Sequence, residues 1–103
     1  MSFAGPKYPA GVHAYMDIVW HRMIFLFDDP ATEACALAMN AYWSNPDNEL
    51  VGTAKVMTAL GFSERDLQTV LAAIRAAFPD VKDNEMMARM MRHGVEIRVK
   101  ERK

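Results

Sequence analysis

Residues that begin and end α-helices recur along the chain at short intervals, and this feature constrains the fold more than any other. Asp29 and Pro30 supply an N-cap residue and a favoured first helical residue. Ser63 and Asp83 are further N-cap residues, and Gly94 stands where a left-handed C-terminal cap is expected. Apolar residues recur with a helical period between these signals, so the sequence predicts helices there. They cover about residues 30–43, 49–60, 63–78 and 83–93.

The segment from Ala10 to Phe27 carries a further apolar stripe, from which a first helix is predicted. The stripe consists of Val12, Tyr15, Met16, Val19, Trp20, Met23 and Phe27. It widens towards its C-terminal end until the segment is apolar almost all round. We therefore expect this helix to lie at the centre of the core.

The C-terminal residues change from a helical to an extended pattern. Val95, Ile97 and Val99 alternate with charged residues, which is typical of a β-strand. A single strand must pair with the N-terminal segment, with a second copy of the chain or with another partner. We therefore expect an all-α fold, a compact bundle of about five helices over residues 1–94, followed by a short C-terminal β-strand or extended basic tail over residues 95–103.

Composition indicates one globular domain, since 51% of the 103 residues are hydrophobic and 24% are charged. The single cysteine, Cys35, favours a reducing compartment because it has no intrachain partner. The N-terminal residues lack a signal-peptide pattern, and no apolar run approaches the ~20 residues of a membrane span. We therefore expect a cytoplasmic protein without a membrane partner.

Charge is distributed unevenly along the chain. Residues 1–88 carry a formal net charge of −5, and residues 89–103 carry +4. A basic end on an acidic body can bind phosphate or an acidic protein surface. A solvated terminus that keeps the protein in solution has the same composition, so charge alone leaves both interpretations open.

Residues 53–72 resemble the helix-turn-helix motif of DNA-binding proteins. The turn glycine is Gly61, and apolar residues stand at the spacing of that motif, although Met57 replaces the usual small residue. The DNA-binding candidates on this segment are Arg65, Gln68, Thr69 and Arg75. Glu64 and Asp66 oppose DNA binding, because carboxylates at the groove-entering end repel phosphate. Capping by Ser63 and the glycine turn explain the same pattern as an ordinary corner between helices.

Two clusters could bind a metal ion. His13, Asp17 and His21 would share one face of the first predicted helix, which suggests zinc ligands, but a closed site needs a fourth ligand. The four methionines of the segment 86–91 contain thioethers suited to Cu(I), yet such stripes are typical of a core or an adaptable protein-binding surface. We therefore expect no cofactor.

Enzyme signatures such as a phosphate-binding loop, a nucleophile elbow or a zinc-protease helix do not occur in the sequence, so we expect no catalysis. The first hypothesis is a non-catalytic protein-binding module, a small regulator or inhibitor comparable to phage-type inhibitors. The second is a dimeric helix-turn-helix-like DNA-binding regulator using residues 63–78 and the basic tail, and the third is a small metal-dependent enzyme. The predicted partner-binding residues are Met87, Met91, Arg92, Arg98 and Lys100, and the predicted homodimer strand contains Val95, Ile97 and Val99.

Overall fold

The computed structural model describes residues 7–48 and 52–102, which form an α+β fold. The prediction of an all-α helical bundle is therefore wrong. The described residues form three strands and four helices. They are, in chain order, β1 (Val12–Asp17), β2 (Arg22–Phe27), α1 (Pro30–Ser44), α2 (Thr53–Ala59), α3 (Glu64–Ala77), α4 (Asn84–His93) and β3 (Val95–Ile97).

The segment predicted as the first helix is a β-hairpin. Strands β1 and β2 pair antiparallel, with Val12 opposite Phe27 and Asp17 opposite Arg22. The helical prediction failed because this segment is apolar at nearly every position, so its spacing is compatible with both periods. The β-branched and aromatic residues of β2 favour the extended chain, which lets Phe25 and Phe27 face the helices.

The third strand was predicted from its alternation, and the structure confirms a strand over Val95–Ile97. It pairs parallel to β2, with Met23 opposite Val95 and Phe25 opposite Ile97, so the sheet has the order β1-β2-β3. Residues 95–97 therefore belong to the same sheet as the hairpin. The four helices lie between β2 and β3 in the chain, as a parallel connection requires.

Three helices begin where their capping residues predict. The side chains of Asp29, Ser63 and Asp83 accept hydrogen bonds from the first helical turn, at 2.8, 3.1 and 2.8 Å. Gly94 follows the end of α4 as predicted, but its φ of −120° is not left-handed.

The helix predicted over 49–60 corresponds, in the described part of the chain, to Thr53–Ala59, and Glu49, Leu50 and Val51 lie outside the described residues. Gly61, at a φ of +94°, ends this helix, and Phe62 donates its backbone N–H to the carbonyl of Met57 at 3.1 Å. The corner thus has the capping geometry that the sequence indicates.

One hydrophobic core lies between the helices and one face of the sheet. Its largest fully buried side chains come from β2, α1, α2, α3 and α4: Phe25, Phe27, Met39, Met57, Ile74 and Met91. Each such side chain contributes roughly 1.5–3 kcal/mol by leaving water. Among the described residues, no helix combines the length and the apolar character needed to cross a bilayer.

Candidate functional site

The turn of the β-hairpin presents large apolar side chains to solvent. Ile18, Val19 and Trp20 are 77%, 76% and 70% exposed, and the neighbouring Met16 is 55% exposed. These four residues are called the apolar tip. They present roughly 500 Å² of apolar surface, which is as large as the biggest apolar patch of a typical monomer. Exposure of this many large apolar side chains within one turn is typical of an interaction site.

The apolar tip is held in one conformation by its own polar residues. Asp17 Oδ1 accepts hydrogen bonds from the backbone nitrogens of Val19 and Trp20, at 3.1 and 3.3 Å. His21 closes the turn at a φ of +54°, a left-handed conformation in which histidine is enriched among residues other than glycine. A turn fixed in this way loses little conformational entropy when a partner binds it.

A network of ion pairs covers the outer face of the sheet beside the apolar tip. Arg98 donates two hydrogen bonds to Glu96, at 2.7 and 2.9 Å, and one to the hydroxyl of Tyr15 at 2.6 Å. Arg22 forms an ion pair with the other carboxylate oxygen of Glu96. Hydrogen bonding to Glu96 raises the pKa of Arg98. Because Ile24 on this face is buried, we infer that these long side chains cover it.

The basic residues after β3 are bound to the body of the protein. The backbone nitrogen of Lys100 and the guanidinium of Arg102 both donate to Glu33, at 2.9 and 3.0 Å. The ammonium of Lys100 lies 2.6 Å from Asp28, which also accepts a hydrogen bond from His13 at 3.1 Å. In the described part of the predicted basic tail, Arg98, Lys100 and Arg102 are thus each paired with a carboxylate of the same chain.

The predicted partner-binding residues do not form one surface. Met87 and Met91 are buried in the core, and Arg92 Nε donates to the backbone carbonyl of Trp43 at 2.8 Å. Arg98 and Lys100 form the ion pairs described above. A partner approaching this end therefore meets neither of the two methionines.

The predicted dimer strand is divided between the core and solvent. Val95 and Ile97 are buried beneath the helices and pair with β2, whereas Val99 is 63% exposed. Pairing with β2 within the chain satisfies one side of this strand, which lies at the edge of the sheet.

The candidate metal ligands lie apart. His13 contacts Asp28 at one end of β1, Asp17 caps the turn at the other end, and His21 is exposed in the turn itself. Within the described residues, no three or more His, Cys, Asp or Glu side chains are grouped as metal ligands would be. Cys35 is buried in α1, and its burial raises the pKa of its thiol to about 11.

The DNA-binding candidates lie on the solvent side of α3. Arg65, Gln68 and Arg75 are exposed, and the hydroxyl of Thr69 donates to the backbone carbonyl of Arg65 at 2.8 Å. Asp66, whose carboxylate was an argument against DNA binding in the sequence, accepts a hydrogen bond from the hydroxyl of Thr32 at 2.8 Å. This carboxylate therefore joins α3 to α1.

Two methionines outside the core line an apolar groove on the surface. This groove has a volume of about 300 Å³ and is called the Met-lined groove. Its lining consists of Ala77, Phe78, Pro79, Asp80, Val81, Met86 and Met90. The four methionines of segment 86–91 indicated a possible protein-binding surface. Their spacing alone did not show that Met87 and Met91 are buried while Met86 and Met90 line the groove.

Sequence reasoning missed the apolar tip because it assigned those residues to a buried helix. A signal for the tip is present: Asp17 precedes three apolar residues and His21 follows them, and both residue types favour tight turns. Comparisons with models of protein families, with curated protein sequences and with solved structures find no match to this chain.

Proposed function

We propose that this protein is a non-catalytic protein-binding module, a small regulator or inhibitor that acts by occupying a partner protein's surface through the apolar tip. The observation that supports this is the exposure of Ile18, Val19 and Trp20 on a turn locked by Asp17. Tryptophan is enriched among the residues that dominate binding energy at protein interfaces. A protruding, preorganised turn suits insertion into an apolar pocket, which is how a small protein can block a larger one.

The polar surroundings of the apolar tip support a protein partner over nucleic acid. Arg22 and Arg98 beside it are paired with two carboxylates, those of Asp17 and Glu96, so they offer little uncompensated positive charge to phosphates. A polar rim around an apolar centre is the usual arrangement of protein interfaces. With roughly 500 Å² of apolar surface, the apolar tip supplies more than half of the ~800 Å² that one partner buries in a standard interface.

The proposal is tested by placing the photo-cross-linking residue p-benzoylphenylalanine at position 20 and irradiating cells of the source organism. We expect a discrete protein adduct, identified by mass spectrometry. The matched control carries the same residue in place of Leu60, which is also large, apolar and 62% exposed but lies at the end of α2. Equal adducts at both positions, no protein adduct, or adducts with lipid alone contradict the proposal.

A further inference from the structure

We infer that the protein partner of the apolar tip is a second copy of this chain, with Trp20 of each copy seated in the Met-lined groove of the other. This inference rests on the proposed function for its binding surface, the apolar tip, and it adds a second copy as the occupant of that surface, so that dimerisation competes with the binding of any other protein. The two surfaces are complementary: one protrudes, the other is concave, and both are apolar.

The Met-lined groove has the size and chemistry to accept an indole ring. Its volume of about 300 Å³ accommodates a tryptophan side chain, and Phe78, Met86 and Met90 are among its lining residues. Methionine side chains adapt to the shape of a ligand, and their sulfur atoms contact aromatic rings favourably. The ring of Phe78 gives the groove an aromatic surface as well.

The apolar tip and the Met-lined groove lie at the same end of the sheet. The backbone nitrogen of Met23, three residues after Trp20, donates to the carbonyl of Gly94 at 2.7 Å. A Cβ atom placed on Gly94 would lie 3.8 Å from Phe78 Cζ and 3.9 Å from Met90 Sδ, so the groove adjoins the start of β3. A protrusion and its receptor at one end allow a closed two-fold dimer, in which each contact is made twice.

The area available is sufficient for such a dimer. Two apolar tips of roughly 500 Å² each, together with the walls of two grooves, bury about 1,200 Å² in total, which lies at the lower end of the range of stable specific interfaces. Repulsion between copies is small, because the formal net charge of the chain is −1. The carboxylate nearest the apolar tip, that of Asp17, accepts hydrogen bonds from the turn, and Asp80, the charged residue of the groove lining, is exposed.

Sedimentation equilibrium of the purified full chain in the micromolar range tests the inference. We expect a mass of twice 11.6 kDa for the natural sequence. Trp20→Ala on the tip and Met86→Glu in the groove should each weaken dimerisation by at least about tenfold, as loss of a central anchor does. Leu60→Ser is the control and should leave the dimer intact, while circular dichroism verifies that each variant is folded.

A cysteine pair tests the contact directly in a background in which Cys35 is replaced by alanine. A chain with Trp20→Cys is mixed with a chain with Met90→Cys and treated with a short bismaleimide, which spans the space left by the two long side chains, and we expect a covalently linked pair of the two different chains. Leu60→Cys mixed with Met90→Cys should not give that product. A monomer at all concentrations, or a dimer that survives both Trp20→Ala and Met86→Glu, overturns the inference. If the dimer inference is overturned but cross-linking from position 20 captures a different protein, the proposed function stands. If cross-linking captures no protein, the proposed function and the dimer inference both fail.

Discussion

The carboxylate of Asp17 reaches across the hairpin turn to the backbone of Trp20, whose nitrogen lies 3.3 Å from Asp17 Oδ1. The same oxygen also accepts a hydrogen bond from the backbone nitrogen of Val19, so both bonds close the turn on the Asp17 side chain. Exposed apolar side chains are thereby attached to a backbone with little freedom. This relationship links the fold to the proposed binding site, and it can be broken without touching an apolar residue.

Replacing Asp17 by alanine should loosen the turn while leaving the core unchanged. We expect a loss of about 1 kcal/mol in the free energy of unfolding, as is usual for removing a side-chain acceptor. Amide hydrogen exchange at Val19 and Trp20 should become faster by at least about tenfold. Asp47→Ala, in the turn after α1, removes an exposed carboxylate elsewhere and serves as the control. Unchanged exchange at both amides contradicts the role assigned to Asp17.

The C-terminal strand provides a matched pair of substitutions. Ile97 is buried against the helices, while Val99 is 63% exposed two residues later. Ile97→Ala should cost about 2–4 kcal/mol in urea unfolding, because it leaves a cavity in the core. Val99→Ala should stay within about 0.5 kcal/mol of the natural sequence. Similar effects at the two positions contradict the placement of β3 in the intrachain sheet.

Local signals were enough to predict all four helices, and the first residue of three of them to within one position. Asp29, Ser63 and Asp83 cap helices at the predicted positions, because an N-cap acts on backbone groups within one turn and depends little on the rest of the fold. The alternation of Val95 and Ile97 likewise predicted a strand. The partner of that strand was not predictable, because β2 lies about seventy residues earlier in the chain and no local pattern encodes the pairing.

The prediction of a helix in place of the hairpin failed for a different reason. From Ala14 to Phe27, only Asp17, His21 and Arg22 interrupt the apolar residues, so neither a period of 2 nor one of 3.6 stands out. The helical interpretation also placed His13, Asp17 and His21 on one face, where the hairpin separates them. The same error explains why the apolar tip was not predicted as a binding site, since a side chain assigned to the core is not considered as a binding residue.

The thiol of Cys35 should be almost inert in the folded protein. It is fully buried, its Sγ lies 4.0 Å from Met39 Sδ, and its pKa is raised to about 11. The reactive thiolate is therefore scarce at moderately alkaline pH. We expect reaction with Ellman's reagent to be slower by at least about a hundredfold than in denaturant. A Cys35→Ala chain carrying Ala34→Cys, at an exposed neighbouring position, should react at once; comparable rates for both chains contradict the burial of Cys35.

The pairing of Asp28 makes stability depend on pH in a defined direction. Hydrogen bonds from Lys100, which has the larger effect, and from His13 hold the pKa of Asp28 below its ordinary value of 3.8. Because the folded state has the lower pKa, the stabilisation is present above the pKa of the unfolded chain and is lost as pH falls through the folded value. The difference in unfolding free energy between the natural sequence and Asp28→Asn should therefore shrink below about pH 4.

Urea unfolding at neutral pH and at several acidic values measures this difference. Asp47→Asn removes an exposed carboxylate away from Lys100 and controls for the change in net charge. Protonation of Asp28 should abolish the stabilisation that the ionised carboxylate provides and that asparagine cannot provide. A difference in unfolding free energy between the natural sequence and Asp28→Asn that grows as the pH falls therefore contradicts the pairing.

The exposed side of α3 permits a direct test of the second hypothesis, a DNA-binding regulator. Arg65 and Arg75 are exposed there, but Glu64 stands at the N-terminal end of the helix, and Lys100 and Arg102 after β3 are paired with Asp28 and Glu33. With so few free cations, we expect only weak, sequence-independent binding to duplex DNA in mobility-shift assays. Such binding should disappear between low and physiological salt. Tight binding that persists at physiological salt and is abolished by Arg65→Glu, but not by Lys55→Glu on α2, supports DNA recognition by α3 and contradicts this expectation.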